Sequence, residues 1–155
     1  MDGHLRSFLV DWTVSFFKNK DLLAKKIASI EKNKDGFDIS IKFKDKWQYV
    51  VVEPQLNDID TILRKFNGKD YFTIVTLNSS KNLDIVVKNW QKLASFKLLS
   101  IMFVNPVSET DKKWVIFPHT HSMVADGASL ELGLKSMFGM VEPIEEGRLL
   151  EIIKG

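Results

Sequence analysis

The chain of 155 residues contains no cysteine, which excludes a disulfide framework, a thiolate nucleophile and a metal site with cysteine ligands. Its longest clearly apolar stretch, Leu98 to Val104, is interrupted by Ser100 and is far shorter than the roughly 20 residues of a membrane-spanning helix. The apolar residues 1–17 lack the small-residue cleavage site of a signal peptide. We therefore expect a cytoplasmic protein without a membrane partner.

Two common catalytic motifs are also missing. The chain has no G-x-S-x-G sequence of the esterase type, and no glycine-rich loop followed by the lysine and hydroxyl residue of a P-loop.

The four prolines and eight glycines fall between periodic segments and do not form a linker. The sequence therefore predicts a single domain over residues 1–155.

Charge is nearly balanced in total but uneven along the chain. The formal net charge is +2, yet residues 18–46 hold nine lysines and five acids, and residues 142–151 hold four acids and one arginine. A basic segment of this kind suits contact with nucleic acid. The alternative interpretation is a solvated lysine-rich surface without a partner.

The first half of the chain predicts a helix followed by a β-hairpin. Residues 4–18 have apolar side chains at helical spacing, over a surface wider than one stripe. Residues 27–32 fit either a short strand or the continuation of a helix. Residues 37–43 alternate apolar and polar side chains, and residues 47–53 are rich in aromatic and β-branched ones, so both segments are expected to be strands.

The second half predicts a βαβ unit. Residues 71–77 and 98–104 are typical of buried strands, and a helical pattern that Ser80 or Asn82 can cap separates them. Further predicted elements are a helix from Asn57 or Asp58 to Phe66, a strand over 114–117, a helix over 128–140 and a docking helix over 144–153. The expected fold is α/β (or α+β), with a single mixed sheet that has an N-terminal hairpin or meander and a parallel βαβ unit, flanked by helices.

Two carboxylates fall on the predicted hairpin. A two-residue loop at Asp45–Lys46 pairs Lys44 with Trp47, and on that register Asp38 lies opposite Glu53. Directly opposed residues have β-carbons about 5 Å apart, and two carboxylates that close repel each other. A bound Mg²⁺ or Mn²⁺ ion is a good reason for them to coexist. Such a metal can activate water and stabilise charge on a phosphodiester.

Asp38, followed after a short turn by the triplet Glu53-Pro54-Gln55, resembles the motif of the PD-(D/E)xK, or restriction-endonuclease-like, nucleases. The core of that superfamily runs helix, three strands, helix and strand, as residues 4–77 do if residues 27–32 form a strand. The resemblance implies a restriction-endonuclease-like core over about residues 4–104, with a C-terminal strand–helix extension. It also implies that Asp38 and Glu53 bind the metal, and that Gln55 replaces the lysine of the family and orients water or substrate.

On this hypothesis Lys42, Lys44 and Lys46 contact phosphate groups, and the protein is a metal-dependent nuclease or an inactive relative that binds nucleic acid. A plainer interpretation places Asp38 and Glu53 at exposed ends of the hairpin, with Glu53 in a surface ion pair with Lys42 or Lys44. The sequence leaves both interpretations open.

His119, His121 and Asp126 form a second candidate site. On an extended segment residues two apart share a face, so both imidazoles could bind zinc or another transition metal, with Asp126 as a third ligand. The sequence around them favours a strand end that runs into a loop, where both histidines are ordinary polar residues.

A third hypothesis is that the protein binds partners and catalyses no reaction. The wide apolar surface of residues 4–18, the methionine-containing stripe within residues 130–140 and the amphipathic tail are also typical of subunit interfaces. The alternative function is therefore a non-catalytic protein-interaction module that forms a homodimer.

Overall fold

The structure is a computed structural model that describes residues 3–155. Within these residues, seven helices flank one mixed sheet of six strands. The helices are α1 (Gly3–Lys20), α2 (Ile59–Arg64), α3 (Ser80–Lys88), α4 (Trp90–Ala94), α5 (Pro118–Val124), α6 (Gly127–Phe138) and α7 (Glu146–Lys154). The strands are β1 (Ile27–Lys34), β2 (Phe37–Phe43), β3 (Trp47–Val52), β4 (Tyr71–Leu77), β5 (Leu99–Val104) and β6 (Lys113–Ile116).

The six strands lie side by side in chain order, from β1 at one edge of the sheet to β6 at the other. β1, β2 and β3 form an antiparallel meander, β3, β4 and β5 are parallel, and β6 returns antiparallel to β5. The α/β class, the N-terminal meander and the parallel βαβ unit are thus confirmed, and residues 27–32 are a strand. Because β3, β4 and β5 are parallel, their carboxyl ends lie at the same end of the sheet.

The sheet separates two apolar cores. On one face α1 and α7 pack through residues such as Leu9, Phe17 and Leu149. On the other face α2, α3, α4 and α6 contribute residues such as Val86 and Leu134. Because α1 contacts both the sheet and α7, the wide apolar surface of its sequence is largely used within the chain. No helix within residues 3–155 is long and apolar enough to cross a membrane.

The two turns of the meander differ, and the second one shifts the predicted register. Asp35 and Gly36, between β1 and β2, have φ values of 57° and 82°, as a two-residue hairpin turn requires. Neither Asp45 nor Lys46 has a positive φ, and the N–H of Phe43 donates to the carbonyl oxygen of Lys46 at 2.9 Å. The turn between β2 and β3 therefore centres on Lys44 and Asp45, and Lys42 pairs with Trp47. The predicted pairing of Lys44 with Trp47 is therefore wrong by two residues.

Asn82, on the first turn of α3, fixes the segment that follows β3. This side chain is fully buried, and its Oδ1 accepts a hydrogen bond from Leu56 N–H at 3.0 Å. Its Nδ2 donates to the carbonyl oxygens of Pro54 and Leu77, at 3.0 Å and 2.9 Å. The helix itself is capped by Ser79, whose Oγ accepts from the backbone of Asn82. One asparagine thus holds residues 54–56, the end of the predicted nuclease motif, against the end of β4.

Candidate functional site

Arg6, near the start of α1, joins Asp38 and Glu53 in one network, and we call these three residues the carboxylate cluster. Nη2 of Arg6 donates to Oδ1 and Oδ2 of Asp38 at 3.0 Å and 2.9 Å, and Nε lies 3.3 Å from Oδ1. Nη1 donates to Oε1 of Glu53 at 3.2 Å. The structure therefore connects the two predicted carboxylates, but through an arginine that sequence reasoning missed.

Asp38 is the second residue of β2, where it reaches both Arg6 and the end of β3. Ile39 packs in the core beneath α1, whereas Phe37 stacks on Tyr49, with 4.4 Å between ring centroids, against the opposite core. Phe37 and Ile39 thus contact different cores, although β2 keeps one register with β1 over both residues. Between them, Asp38 Oδ2 also accepts a hydrogen bond from the backbone N–H of Val52, at 2.7 Å.

The carboxylate cluster is largely withdrawn from solvent. The side chains of Arg6, Asp38 and Glu53 are 32%, 10% and 19% exposed. Burial lowers the pKa of Arg6, but the charges and hydrogen bonds of Asp38 and Glu53 outweigh it, so the pKa lies above its ordinary value. Arg6 thus supplies a permanent positive charge between two acids, which is the role that sequence reasoning gave to a metal ion.

This arrangement does not fit a divalent cation. Both oxygens of Asp38 already accept hydrogen bonds from Arg6 or Val52, and the guanidinium charge repels Mg²⁺ or Mn²⁺. Within residues 3–155 no three histidine, aspartate or glutamate side chains are grouped to hold a metal. Gln55 is half-buried. Within residues 3–155 it donates no hydrogen bond to Asp38 or Glu53. The metal at Asp38 and Glu53 stays a prediction, and it requires Arg6 to move away.

The three lysines of the predicted phosphate contacts lie far from the carboxylates. Lys42 is four residues from Asp38 along β2, or about 13 Å at the usual rise of a strand. Lys44 and Lys46 lie in the turn beyond it. The structure does not bring these lysines to the carboxylates, and Glu53 pairs with Arg6 and not with Lys42 or Lys44.

The same lysines instead join those that follow α1. Residues 18–26 and 42–46 border one cavity at the amino ends of β3 and β4, and together they hold seven lysines and two aspartates. We call these lysines the lysine edge: Lys18, Lys20, Lys25, Lys26, Lys42, Lys44 and Lys46. All seven are exposed. Asp21 is directed to the backbone, because its carboxylate accepts from the N–H groups of Lys26 and Ile27. The edge is therefore strongly positive.

His119 and His121 lie in α5 and not on an extended segment. Pro118 stands at the start of this helix, a position that proline favours. Residues two apart do not face each other on a helix. Nδ1 of His119 lies 2.9 Å from the carbonyl oxygen of Ala94, and Nδ1 of His121 lies 3.3 Å from that of Phe117. The prediction that both imidazoles share one face is wrong, because the chain is helical here.

Asp126 has a structural partner of its own. It caps α6, and its Oδ1 accepts a hydrogen bond from the hydroxyl of Ser129 at 2.6 Å and from its backbone N–H at 3.4 Å. These bonds favour the carboxylate form and lower the pKa of Asp126. Within residues 3–155 the structure therefore does not group His119, His121 and Asp126 as a metal site: both histidines contact backbone carbonyl oxygens and Asp126 caps α6.

Comparison with known proteins assigns no family to the chain. No protein-family model matches it, and no curated protein or solved structure does either. Two features of the molecule bear on its function, the carboxylate cluster and the lysine edge, and they lie at opposite ends of the sheet.

Proposed function

We propose that this chain is a nuclease-like domain that binds nucleic acid through the lysine edge and does not cleave it. The observation that carries the proposal is the separation of charge, with exposed lysines at one end of the sheet and both carboxylates paired with Arg6 at the other. Nucleic acid presents a regular row of phosphates, and lysines that neutralise them supply most of non-specific affinity.

The lysines of the edge are free to meet phosphates. Within residues 3–155, none of the seven forms an ion pair with a carboxylate. Four lysines elsewhere do: Lys32, Lys34, Lys92 and Lys135. Lys46 lies 4.4 Å from the ring centroid of Tyr71, and Lys42 lies 5.0 Å from that of Trp47. Aromatic rings interleaved with lysines are typical of surfaces that bind single strands, where bases stack and phosphates pair with cations.

The fold supports the nuclease-like part of the proposal. Residues 3–77 run α1, β1, β2, β3, α2 and β4, which is the element order of the resemblance. Asp38 is the second residue of β2 and Glu53 follows β3, so both stand near the strand ends that the motif requires. The loss of hydrolysis follows from Arg6, because a guanidinium pairs with the two acids but cannot activate water as a metal ion does.

A binding assay with matched triple variants tests the proposal. We expect a short fluorescent single strand to bind the wild type and to bind the Lys26→Ala/Lys44→Ala/Lys46→Ala variant about tenfold more weakly at low salt. The control variant Lys81→Ala/Lys88→Ala/Lys135→Ala removes the same charge from α3 and α6 and should bind nearly as the wild type does. Equal losses in both variants would show that net charge alone matters and would contradict the proposal.

Cleavage is read in the same samples. We expect the single strand to stay intact with Mg²⁺ or Mn²⁺ present. Metal-dependent cleavage that Asp38→Asn abolishes would contradict the non-hydrolytic proposal and assign the carboxylates to catalysis. Both products and intact strand are resolved on a denaturing gel, so binding and hydrolysis are scored independently.

A homodimer is the second candidate. The observation that favours it is a set of exposed apolar side chains on and beside α5 and α6: Met123 (74% exposed), Val124 (79%), Leu132 (72%) and Met140 (60%). Such residues are typical of surfaces that a partner covers. Sedimentation tests it, since a dimer dissociates on dilution and should be weakened by Leu132→Glu, whereas a monomer at every concentration contradicts it.

A further inference from the structure

A cavity of about 460 Å³ opens beside the lysine edge, between the end of α1, the turn after β2 and the sheet. Its volume lies within the range of sites that hold small molecules. α1 ends at Lys20, so the helix that covers this face of the sheet stops where the cavity begins. Three features of its walls define what it can hold: a polar floor, a cationic rim and exposed aromatic rings.

The floor is a hydrogen-bonded row of polar side chains across three strands. Gln48 Nε2 donates to Thr73 Oγ1 at 2.8 Å, and Thr73 Oγ1 lies 2.9 Å from Ser100 Oγ. Farther along the same face these strands carry apolar residues such as Val50 and Val75, both fully buried. Polar groups withdrawn from water are costly unless they are bonded. These three side chains satisfy one another, and because they line the cavity they also offer polar atoms to a ligand.

The rim is cationic. Lys20, Lys26, Lys46 and Lys113 line the cavity, and the one acid among the lining residues is Asp21. That carboxylate is already bonded to two backbone N–H groups of the chain. Four lysines against one carboxylate leave the mouth positive, so it attracts an anionic group.

Aromatic rings stand at the mouth of the cavity. Tyr71 and Phe117 line it and are 41% and 48% exposed. Lys46 lies over the Tyr71 ring, and Lys113 lies 6.0 Å from the ring centroid of Phe16. Exposed rings beside cations offer a stacking surface for a flat ring that carries a negative charge.

We propose that this cavity binds one nucleotide unit, with its phosphate at the lysine rim, its base against Tyr71 or Phe117, and base or sugar polar atoms near the Gln48–Thr73–Ser100 floor. A nucleotide unit combines the three chemistries that the walls offer: an anion, a flat ring and a polar hydrogen-bonding edge. It has two sources, a free nucleotide or the end of a nucleic acid strand. The strand-end source rests on the proposed function, whereas the free-nucleotide source does not.

Calorimetry with nucleoside monophosphates, adenosine and inorganic phosphate tests this site. We expect a monophosphate to bind more tightly than adenosine or phosphate alone, and the affinity to fall about tenfold in Lys46→Ala. Thr73→Val/Ser100→Ala changes the floor without touching charge, and Phe117→Ala removes an exposed ring that the fold does not bury, so both should weaken binding by a similar factor. Lys81→Ala, on α3, is the matched control and should leave binding unchanged.

Competition then separates the two sources. If a single strand with a terminal phosphate displaces the monophosphate and the same strand without it does not, the strand end is the ligand. If monophosphates bind and single strands neither bind nor compete, the free nucleotide is the ligand and the proposed nucleic-acid function fails. If single strands bind, no monophosphate binds at millimolar concentration and the floor variant binds strands normally, the cavity proposal is overturned while the proposed function stands.

Discussion

Replacing Asp38 by alanine is expected to lower the free energy of unfolding by about 3 kcal/mol, and the melting temperature by about 10 °C. The substitution leaves the backbone N–H of the buried Val52 without its acceptor. An unsatisfied buried donor alone costs about 1–3 kcal/mol. The substitution also removes the main partner of the Arg6 guanidinium, which is two-thirds withdrawn from solvent. Both costs arise at one side chain, so the effect should be among the largest of any single substitution outside the apolar cores.

Two variants separate the contributions to that loss. Asp38→Asn keeps an oxygen that can accept from Val52 or Arg6, and it should lose about half as much. Glu53→Gln weakens only one hydrogen bond, from Arg6 Nη1, and should lose about 1 kcal/mol or less. Urea unfolding gives the three values. Equal stability of Asp38→Ala and wild type would contradict the structural role of the cluster. Stabilisation of the wild type by Mn²⁺ that vanishes in Asp38→Ala would restore the metal site.

Replacing Asn82 by leucine should cost about as much, roughly 3 kcal/mol, although no charge is involved. Asn82 is fully buried and makes three side-chain hydrogen bonds to backbone groups of residues 54, 56 and 77. Leucine fills a similar volume but leaves the Leu56 N–H and the carbonyl of Leu77 without this partner. Thermal unfolding measures the loss.

Asn57→Leu is the matched control for Asn82→Leu. Asn57 is exposed, and substitutions of that kind usually change stability by less than about 0.5 kcal/mol. A large loss at position 82 with none at position 57 is the expected result. Similar small losses at both positions would mean that the segment after β3 does not depend on Asn82.

Most of the fold follows from hydrophobic periodicity. Residues 37–43 and 71–77 show the two patterns that a sequence reports most clearly, strict alternation and a short buried run, and both are strands in the structure. The turn at Asp35-Gly36 was equally predictable, because glycine readily adopts the required positive φ and aspartate is among the residues that tolerate it. The single helical pattern predicted between residues 77 and 98 is two helices that meet at Asn89, and no glycine or proline marks this break.

The candidate site was only half predictable, because its key contacts join distant segments. Asp38 and Glu53 stand out as acids near strand ends, but the register between them depended on a turn without a glycine or asparagine signal. Arg6 is one of three arginines, and nothing local shows that it faces a strand 32 residues later. The only signal was its place among the apolar residues of an amphipathic helix, where a charge that is not on the solvent side needs a partner.

The cavity floor had a weak signal of the same kind. Thr73 and Ser100 interrupt two strands that are otherwise largely apolar, and both prove to be buried and bonded to each other. The sequence shows that a polar residue interrupts each strand, but it does not show whether the two residues lie side by side. Here the parallel register of β4 and β5 pairs them directly, and that register is fixed by tertiary structure.

The most direct test of the central claim is the salt dependence of single-strand binding. If the lysine edge contacts phosphates, the logarithm of the association constant falls linearly with the logarithm of salt concentration. The slope should then be smaller in magnitude by about 2 in Lys26→Ala/Lys44→Ala/Lys46→Ala, because each lost contact removes about 0.7. An unchanged slope in that variant, or wild-type binding that does not respond to salt, would contradict the claim that the lysine edge binds nucleic acid.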